Sequence, residues 1–358
     1  MYGIPRTLVK VRGQYHMQTT GSALEADWRN PAVNDSSAKC IALIGCGNFA
    51  YSNIAYYCTR IRRGSIRCAY DPVGQRAISL IRRYAGVYAA RDPFAAIEDS
   101  AVETVFIASN HSTHAEYAIH AIRCGKTVHI EKPHVVSRAQ LSDLIRACKD
   151  HPESKVFLGF NRPRSIHFRR LMRVLGDEAG PSMINWFIAG HALDPDHWYF
   201  SDEEGGRILG NLCHWTDLTL RMVGVDRAFP IKVSGLKPIG SESDYAVTME
   251  FADSSLAVIS FSAKGHTFEG VREYLNVHKG NALATLMDFH LSIADVGDRK
   301  TRYKSWRRDH GHRAAIEATL AASEPESLAM IAESANLFLG VREAVETGTP
   351  VCLERVWR

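Results

Sequence analysis

The order of apolar and polar positions divides the chain into two parts with different periodicity. From residue 39 onward, short apolar runs alternate with stretches whose apolar residues have helical spacing. The pattern predicts strands at 39–44, 66–70, 87–88, 102–108, 127–130 and 156–160, and helices at 48–62, 75–84, 114–124, 138–150 and 165–175. Strands and helices that alternate through short connections predict a parallel, doubly wound sheet of the α/β class.

After Pro181 the strands lengthen and apolar positions alternate with polar ones. Strands are predicted at 182–189, 231–236, 245–251, 256–263, 274–277 and 282–287, and helices at 208–223, 313–322 and 328–347. Ala252, Asp253 and the serines after them predict a hairpin turn. The pattern therefore indicates an α+β unit with a large, mostly antiparallel, open-faced sheet whose other face is covered by the helix at 208–223.

A glycine-rich turn follows the first predicted strand directly. Gly45, Gly47 and Ala50 form the pattern GxGxxA, with Asn48 and Phe49 between the last two. The first glycine permits the tight turn, the second lets a pyrophosphate approach the backbone, and the small third residue lets helix and strand pack closely. The anion would lie on free N–H groups at the start of the helix.

The second predicted strand ends at Asp71, about 20 residues beyond the glycine-rich turn, which is the usual spacing for a ribose-binding carboxylate. Such a carboxylate accepts a hydrogen bond from the ribose 2′-hydroxyl and repels a 2′-phosphate, so NAD is expected rather than NADP. The alternative is an ordinary turn formed by Asp71 and Pro72. We expect a Rossmann dinucleotide-binding domain at residues 39–160 and a substrate-binding and oligomerisation domain at 161–358. Residues 1–38, which are polar and aperiodic, would be an extension outside the core, either a disordered tail or an arm on a neighbouring subunit.

Composition excludes several classes of protein. Of 358 residues, 46% are hydrophobic and 23% charged, and the formal net charge is only +4, as in an ordinary globular protein. The arginines at 60, 62, 63 and 67 do not alternate with aromatic residues, so no nucleic acid is expected. No apolar run is long enough for a membrane span, and a cytoplasmic location is expected. The eight cysteines show no CxxC spacing, which favours reduced thiols over disulfides or zinc.

The segment Glu131-Lys132-Pro133 follows a predicted strand of the Rossmann domain. Together with GxGxxA and the later Gly205-Gly206 and His214, it resembles the Gfo/Idh/MocA family of sugar and polyol dehydrogenases. The resemblance implies that Lys132 reaches the reacting oxygen and that Glu131 reaches the nicotinamide ribose. From the residues alone, Lys132 lies at the carboxyl end of a parallel strand, where such sheets bind ligands; a solvated surface lysine is the alternative.

The same resemblance implies further contacts with the cofactor. The loop that lines it would contain Ser109, Asn110 and His111, followed by His114 at the head of the next helix. Asn161 would approach the nicotinamide, although capping the next helix explains it almost as well. His111 and His114 have metal-ligand spacing, but no third ligand is suitably placed, so no metal is predicted.

The predicted helix at 208–223 resembles the family helix that carries the catalytic histidine. Helical spacing places Gly210, His214 and Asp217 on one face, which we expect to be turned toward the cleft, and Ile208, Leu212, Trp215 and Leu218 on the face packed against the sheet. Many family members have an aspartate where this chain has Gly210. The glycine would leave room near His214. Either the substrate is bulkier there, or its hydroxyls are held by other groups, for which the candidates are Arg162, Asp196, His197 and Asn211.

The expected function is NAD-dependent oxidation of a secondary alcohol of a sugar, cyclitol or sugar-nucleotide, or the reverse reduction, with His214 as the proton acceptor and Lys132 holding the oxygen. The alternatives are an NAD-dependent glycosidase and a non-catalytic NAD-responsive regulator. A homodimer or homotetramer is expected, because apolar residues would face outward from the open sheet unless residues 1–38 cover it within a monomer, which is the alternative. These residues are Val233, Val247, Met249, Leu256, Val258 and Phe261.

Overall fold

The chain folds around two β-sheets, one of seven strands and one of nine. The computed structural model describes residues 4–36, 38–241, 243–264 and 270–357. A parallel sheet flanked by helices is followed by a mostly antiparallel sheet, as the hydrophobic pattern predicts.

The first sheet contains residues from the first half of the chain. Its strands are β1 (Trp28–Arg29), β2 (Ile41–Ile44), β3 (Ile66–Tyr70), β4 (Tyr88–Ala89), β5 (Thr104–Ile107), β6 (Thr127–Ile130) and β7 (Val156–Leu158), in the order β1-β4-β3-β2-β5-β6-β7. All pairs are parallel except β1 with β4. The strand order reverses between β2 and β5, and ligands of doubly wound sheets bind at the carboxyl ends of strands at this point.

Helices surround this sheet. They are α1 (Ile4–Met17), α2 (Ala55–Ile61), α3 (Gly74–Tyr84), α4 (Pro93–Glu98), α5 (His114–Arg123) and α6 (Arg138–Asp150), and the next helix, α7 (Ile166–Gly176), packs against the second sheet instead. A π-helical turn at Ala50–Ile54 leads into α2. The core strands are buried on both faces, as β2 and β5 show along their full length, and this burial explains their uninterrupted apolar sequence.

The second sheet forms most of the remaining chain. Its strands are β8 (Ser182–Ala189), β9 (Ile231–Leu236), β10 (Asp244–Phe251), β11 (Leu256–Ser262), β12 (Arg272–Lys279), β13 (Ala282–Met287), β14 (Leu291–Val296), β15 (Arg299–Lys304) and β16 (Val351–Leu353), in the order β15-β14-β13-β12-β8-β11-β10-β9-β16. The later helices are α8 (Cys213–Val223), preceded by a π-helical turn at Ile208–Leu212, α9 (Val225–Ala228), α10 (His312–Leu320) and α11 (Leu328–Thr347). Only β8 and β11 pair in parallel among the described strands of this sheet.

Several elements were not predicted from the pattern. β14 and β15 extend the second sheet beyond the predicted strands, and β15 has exposed side chains on both faces except at Tyr303. An edge strand without a buried face lacks the alternation on which strand prediction depends. The edge of the sheet is therefore a row of cationic side chains, at Arg299, Lys300, Arg302 and Lys304.

The N-terminal extension differs from its prediction. Residues 4–17 form a helix, α1, packed on the dinucleotide-binding domain of the same chain, with Val9 4% and His16 3% exposed. Residues 4–17 therefore form a helix packed on their own chain and not a disordered tail. The sequence conceals this helix because its buried face includes arginine, glycine and histidine as well as valine.

The outward face of the second sheet was also assigned wrongly in part. Val233, Val247, Met249 and Phe261 are buried and face the helical layer, whereas Leu256 is 47% exposed and Val258 is half-buried on the opposite face. Alternation separates the two faces of a strand but does not say which one the helices cover. The open face nonetheless carries apolar side chains, at Met183, Phe187, Leu256 and Leu283.

No helix within the described ranges is both long and apolar enough to cross a bilayer.

We expect the open face to pair with a second copy, because a patch of exposed apolar side chains is unusual on a monomer. Phe187→Asp should reduce the mass in solution to the 39.9 kDa of one chain. Ile239→Asp, a change at a fully exposed residue just outside the sheet, is the control and should leave the mass unchanged. Light scattering decides, and a wild-type mass of one chain would contradict the prediction.

Candidate active site

A cleft of about 2410 Å³ runs from the carboxyl ends of the first sheet to the far strands of the second sheet. The residues that line it include Gly45, Gly47, Asn48, Phe49, Asp71, Ser109, Asn110, His111, His114, Glu131, Lys132, Asn161, Arg162, His197 and His214. The cleft therefore brings together most of the site residues expected from the sequence, at the position where doubly wound sheets bind ligands.

The glycine-rich turn has the shape that a dinucleotide needs. Gly45 has φ +90°, and a Cβ atom there would lie 2.5 Å from the carbonyl group of Ala108 after β5. A Cβ atom on Gly47 would instead meet nothing within 4 Å. The first glycine thus allows two strand ends to approach, and the second leaves bare backbone facing the open cleft, as a pyrophosphate requires.

Asp71 lies at the end of β3, next to this turn. Its two carboxylate oxygens accept hydrogen bonds from the backbone N–H groups of Cys46 and Val73, each at 2.8 Å. These bonds hold the carboxylate at the edge of the cleft, and an ionised carboxylate has further lone pairs for a ribose hydroxyl. The turn and the carboxylate together fit NAD.

Glu131 and Lys132 follow β6. A side chain on Gly159 would collide with Glu131, so the glycine at the end of β7 makes room for this glutamate. The Lys132 ammonium donates a hydrogen bond to the carbonyl oxygen of Gly210 at 2.5 Å. Burial lowers the pKa of Lys132, but Tyr199, Cys213 and Glu131 outweigh it, so the net pKa is raised and the lysine stays charged.

His214 is at the start of α8, one helical turn after Gly210. Only 8% of it is exposed, and its Nδ1 atom has no hydrogen-bond partner among the described residues. Burial lowers its pKa well below the ordinary value, and the positive charges of Arg162 and Lys132 lower it further. His214 is therefore neutral near pH 7, in the form that can accept a proton.

The loop after β5 is held in place by a histidine. The ring nitrogens of His114 lie 2.8 Å from the carbonyl oxygen of Pro133 and 3.0 Å from that of Ser109, so the ring connects this loop to the turn after Lys132. Burial lowers the pKa of His114. Asn110 is exposed on the cleft side, and the hydroxyls of Ser109 and Thr113 lie 2.7 Å apart.

His111, in the same loop, belongs to an aromatic cluster that lines the cleft. Its ring packs against Trp198 and Tyr199, with ring centroids 4.7 Å apart in both cases, and its Nδ1 lies 3.0 Å from the carbonyl oxygen of Glu204. Burial lowers the pKa of His111 well below its ordinary value. Within the described ranges, no group of three histidine, cysteine or acidic side chains is placed to hold a metal ion.

Asn161 and Arg162 lie where the chain leaves the first sheet. The Asn161 amide donates to the carbonyl oxygen of His310 at 2.6 Å, and the side chain that caps α7 is that of Ser165. Asn161 is therefore not a helix cap, and it lines the cleft.

Arg162 forms a two-pronged ion pair with Glu273, at 2.6 Å and 2.8 Å. Burial alone would raise the pKa of Glu273, but Arg162 and His310 lower it to about 2. Both groups are therefore charged, although they are almost fully buried.

Asp217, which the helical pattern placed toward the cleft, and two of the candidate substrate residues lie away from it. Asp217 is fully buried and bonds to Arg221 and to Ser334 of α11, because α11 covers that side of α8. Asn211 accepts a hydrogen bond from Arg207, and Asp196 is exposed in a loop. Our expectation that Asp217 faces the cleft is therefore wrong, and neither Asn211 nor Asp196 is among the cleft residues.

The space expected beside Gly210 is filled. A Cβ atom on Gly210 would overlap the ring of Tyr199, so this aromatic side chain occupies the position where an aspartate would otherwise project. The glycine therefore admits Tyr199 rather than a bulkier substrate, which corrects the expectation from sequence.

Several cleft residues were not expected. Glu273, His310 and His312 approach from the second sheet and the segment after it, and Arg6 and Lys10 of α1 line the same cleft. Glu273 left one signal in the sequence, since it is a charged residue at an inward position of β12. The sequence of α1 contains no comparable signal of its place in the cleft.

Comparison with known proteins agrees with this architecture. A family model described as the oxidoreductase family with an NAD-binding Rossmann fold matches residues 39–160. Inositol 2-dehydrogenase 2 of Saccharopolyspora erythraea is 29% identical over 135 residues, which are 38% of this chain and 40% of that protein. The scyllo-inositol 2-dehydrogenase (NAD(+)) of Bacillus subtilis is 29% identical over 96 residues, 27% of this chain and 28% of that protein. The matches thus span less than half the length of these curated relatives.

Solved structures resemble nearly the whole fold. The crystal structure of GenD2 from gentamicin A biosynthesis, in complex with NAD, covers 91% of this chain and 99% of its own, with a TM-score of 0.73 and 20% identity. A crystal structure described as a putative myo-inositol dehydrogenase from Sinorhizobium meliloti covers 87% and 99%, with a TM-score of 0.72 and 18% identity. At this identity the likeness concerns the fold. The match to the Gfo/Idh/MocA oxidoreductase family model is thus a property of residues 39–160, which have its NAD-binding Rossmann fold.

Proposed function

We propose that this protein is an NAD-dependent oxidoreductase that interconverts a secondary alcohol and a ketone on a sugar or polyol. One observation carries the proposal. Lys132, which is charged, bonds to Gly210, and His214, which is buried and neutral, lies one helical turn further along. Both side chains line the cleft that also contains the glycine-rich turn. A non-catalytic regulator would not need this pair.

The two side chains have complementary roles. The Lys132 ammonium donates a hydrogen bond to the substrate oxygen and stabilises the negative charge that develops there. His214 accepts the hydroxyl proton during oxidation and returns it during reduction. NAD, when bound, supplies the hydride acceptor. The bond from Lys132 to the Gly210 carbonyl fixes the ammonium beside the helix that carries His214.

The remaining cofactor residues have supporting roles in this proposal. Asp71 receives the adenosine ribose, while Glu131 and Asn161 lie near the nicotinamide end. The loop of Ser109, Asn110 and His111 closes one wall of the cleft, and His114 holds that loop in place. Arg162 and His197 remain candidates for substrate contact, because both line the cleft.

We infer further that the substrate carries negative charge. Arg302, Lys304 and Arg307 are exposed, line the far end of the cleft, and form no ion pair within the part of the chain that the structure describes. Trp306, which is 92% exposed, offers an aromatic surface beside them. This combination fits a sugar that bears a carboxylate or a phosphate, including a sugar-nucleotide, better than a neutral polyol.

A thermal-shift screen with NAD present tests the proposed function, since a ligand that binds the native state raises the melting temperature. Matched neutral and anionic compounds should be compared: glucose, glucuronate, glucose 6-phosphate, UDP-glucose and myo-inositol. We expect the anionic members to give the larger shifts and at least one to produce NADH absorbance. Glycoside cleavage without net NADH would instead favour an NAD-dependent glycosidase, and no response to any sugar would contradict the proposal.

NAD should bind at least about tenfold tighter than NADP, the size expected for one hydrogen bond to a charged group. The reason is the carboxylate of Asp71, which would bond to a ribose hydroxyl and repel a phosphate. Asp71→Ala should narrow the difference between the two cofactors. Calorimetry that shows equal affinities in the wild type would contradict this prediction.

Lys132→Ala and His214→Ala should each lower kcat by about 10²-fold or more, because each removes electrostatic or acid–base help in the transition state. The affinity for NAD should change much less. Asp196→Asn, a change at an exposed residue outside the cleft, is the comparison variant and should keep the wild-type kcat. A wild-type kcat in either alanine variant would show that its assigned role is wrong.

Oxidation should remain active into mildly acidic solution. Because the pKa of His214 is lowered below 6.5, the histidine stays neutral and able to accept a proton at pH values where an ordinary histidine is charged. The acidic limb of kcat/KM against pH should therefore have its midpoint below 6.5. A midpoint at or above that value would rule out this histidine, in this environment, as the base.

A further inference from the structure

We propose that α1 is a built part of the cofactor site, in which Lys10 supplies positive charge to the diphosphate of NAD and the helix covers the glycine-rich turn. This inference rests on the proposed NAD-dependent function. It assigns a role in binding to residues that lie outside the segment matched by the family model, which begins at residue 39.

The helix is attached to the glycine-rich turn itself. A Cβ atom on Gly13 would lie 2.6 Å from the Asn48 side-chain oxygen, so the two segments are in close contact. His16 Nε2 lies 2.6 Å from the carbonyl oxygen of Cys46, and the His16 ring stacks on Tyr51 with centroids 4.2 Å apart. α1 therefore packs on the residues that would surround a pyrophosphate.

A second set of contacts fixes the other end of the helix. The Arg6 guanidinium donates a hydrogen bond to the Asn53 side chain and lies over the rings of Tyr56 and Tyr57, 5.0 Å from each centroid. Because both ends of α1 are attached to the same π-helical turn and helix, its position relative to the glycine-rich turn is defined along its whole length.

The faces of α1 have separate roles. Val9, Gly13 and His16 are buried against the domain, as helical spacing of three and four residues requires. Lys10 and Met17, together with Arg6 and Thr7, line the cleft. Arg12 is on the solvent side and is not among the cleft residues. The helix thus directs Lys10 toward the cleft and Arg12 away from it.

Lys10 lines the same cleft as Gly47 and Phe49 of the glycine-rich turn. His312 lines it too, and its ring lies 5.8 Å from that of Phe49. Burial lowers the pKa of His312, and the charges of His310, Arg162, Arg6 and Lys10 lower it further. Because α1 packs on the glycine-rich turn and Lys10 is on its cleft side, the proposal places the Lys10 ammonium next to the diphosphate. A diphosphate carries two negative charges, and a nearby ammonium stabilises it directly.

Titration of NAD, ADP and adenosine into the full-length protein tests the proposal. Lys10→Gln should lower the affinity for NAD and for ADP by about five- to tenfold, as expected for the loss of one charge-assisted contact. The affinity for adenosine should not change, because adenosine has no phosphate. The matched control is Arg12→Gln, which removes the same charge from the outer face of the same helix. It should leave all three affinities unchanged.

The outcomes are distinguishable. Equal ADP affinity in the Lys10→Gln and Arg12→Gln proteins would overturn the role of Lys10, even if the wild type binds NAD well. Failure of the wild type to bind NAD would instead contradict the proposed function. A loss of affinity for adenosine as well as ADP would show that Lys10→Gln has displaced the helix. In that case Lys10→Arg, which keeps the charge, should fail to restore the binding of NAD and ADP. Restoration by Lys10→Arg of both NAD and ADP binding supports the proposal.

Discussion

The buried ion pair between Arg162 and Glu273 connects the elements on which the cleft depends. Arg162 lies where the chain leaves the first sheet, and Glu273 lies on β12 in the second sheet. The Glu273 carboxylate also accepts a hydrogen bond from the Trp215 indole on α8, and His310 lies 3.4 Å away. Four segments therefore meet at one carboxylate. Removing a single partner from such a cluster would leave a buried charge uncompensated, which is far more costly than the loss of an exposed pair.

Burial, together with the lysine and arginine side chains of the cleft, also affects the protonation state of the cleft histidines. His111 and His214 are buried and His312 is half-buried, all within the influence of lysine or arginine charges, and burial and charge both lower their pKa values. Protonation of any of these histidines would add a positive charge that the nearby lysine or arginine side chains repel. The cationic character of the cleft, which would attract an anionic ligand, thus also keeps the proposed base in its neutral form.

Local patterns predicted the elements that have strong local causes. The parallel strands were found because burial on both faces removes polar residues, and β3, β6, α6 and α11 agree with their predicted bounds. The glycine-rich turn and the segment around Lys132 were found because their chemistry needs particular residues at fixed spacing. Glu273 and α1 were missed because their importance arises from contacts between residues far apart in the chain, such as that between His16 and Cys46. The burial of Asp217 depends on α11, which its own helix cannot reveal.

The cationic row on β15 affects how the nine-stranded sheet can associate. An open sheet has two edges with unpaired backbone groups, and such edges can add strands from other molecules without limit. Here one edge is β15, whose arginines and lysines repel their own copies, and the other is β16, which has only three residues. Both edges are thus poor templates for strand addition. The expected contact between chains therefore falls on the broad face, where two-fold pairing would produce a closed particle instead of a growing fibre.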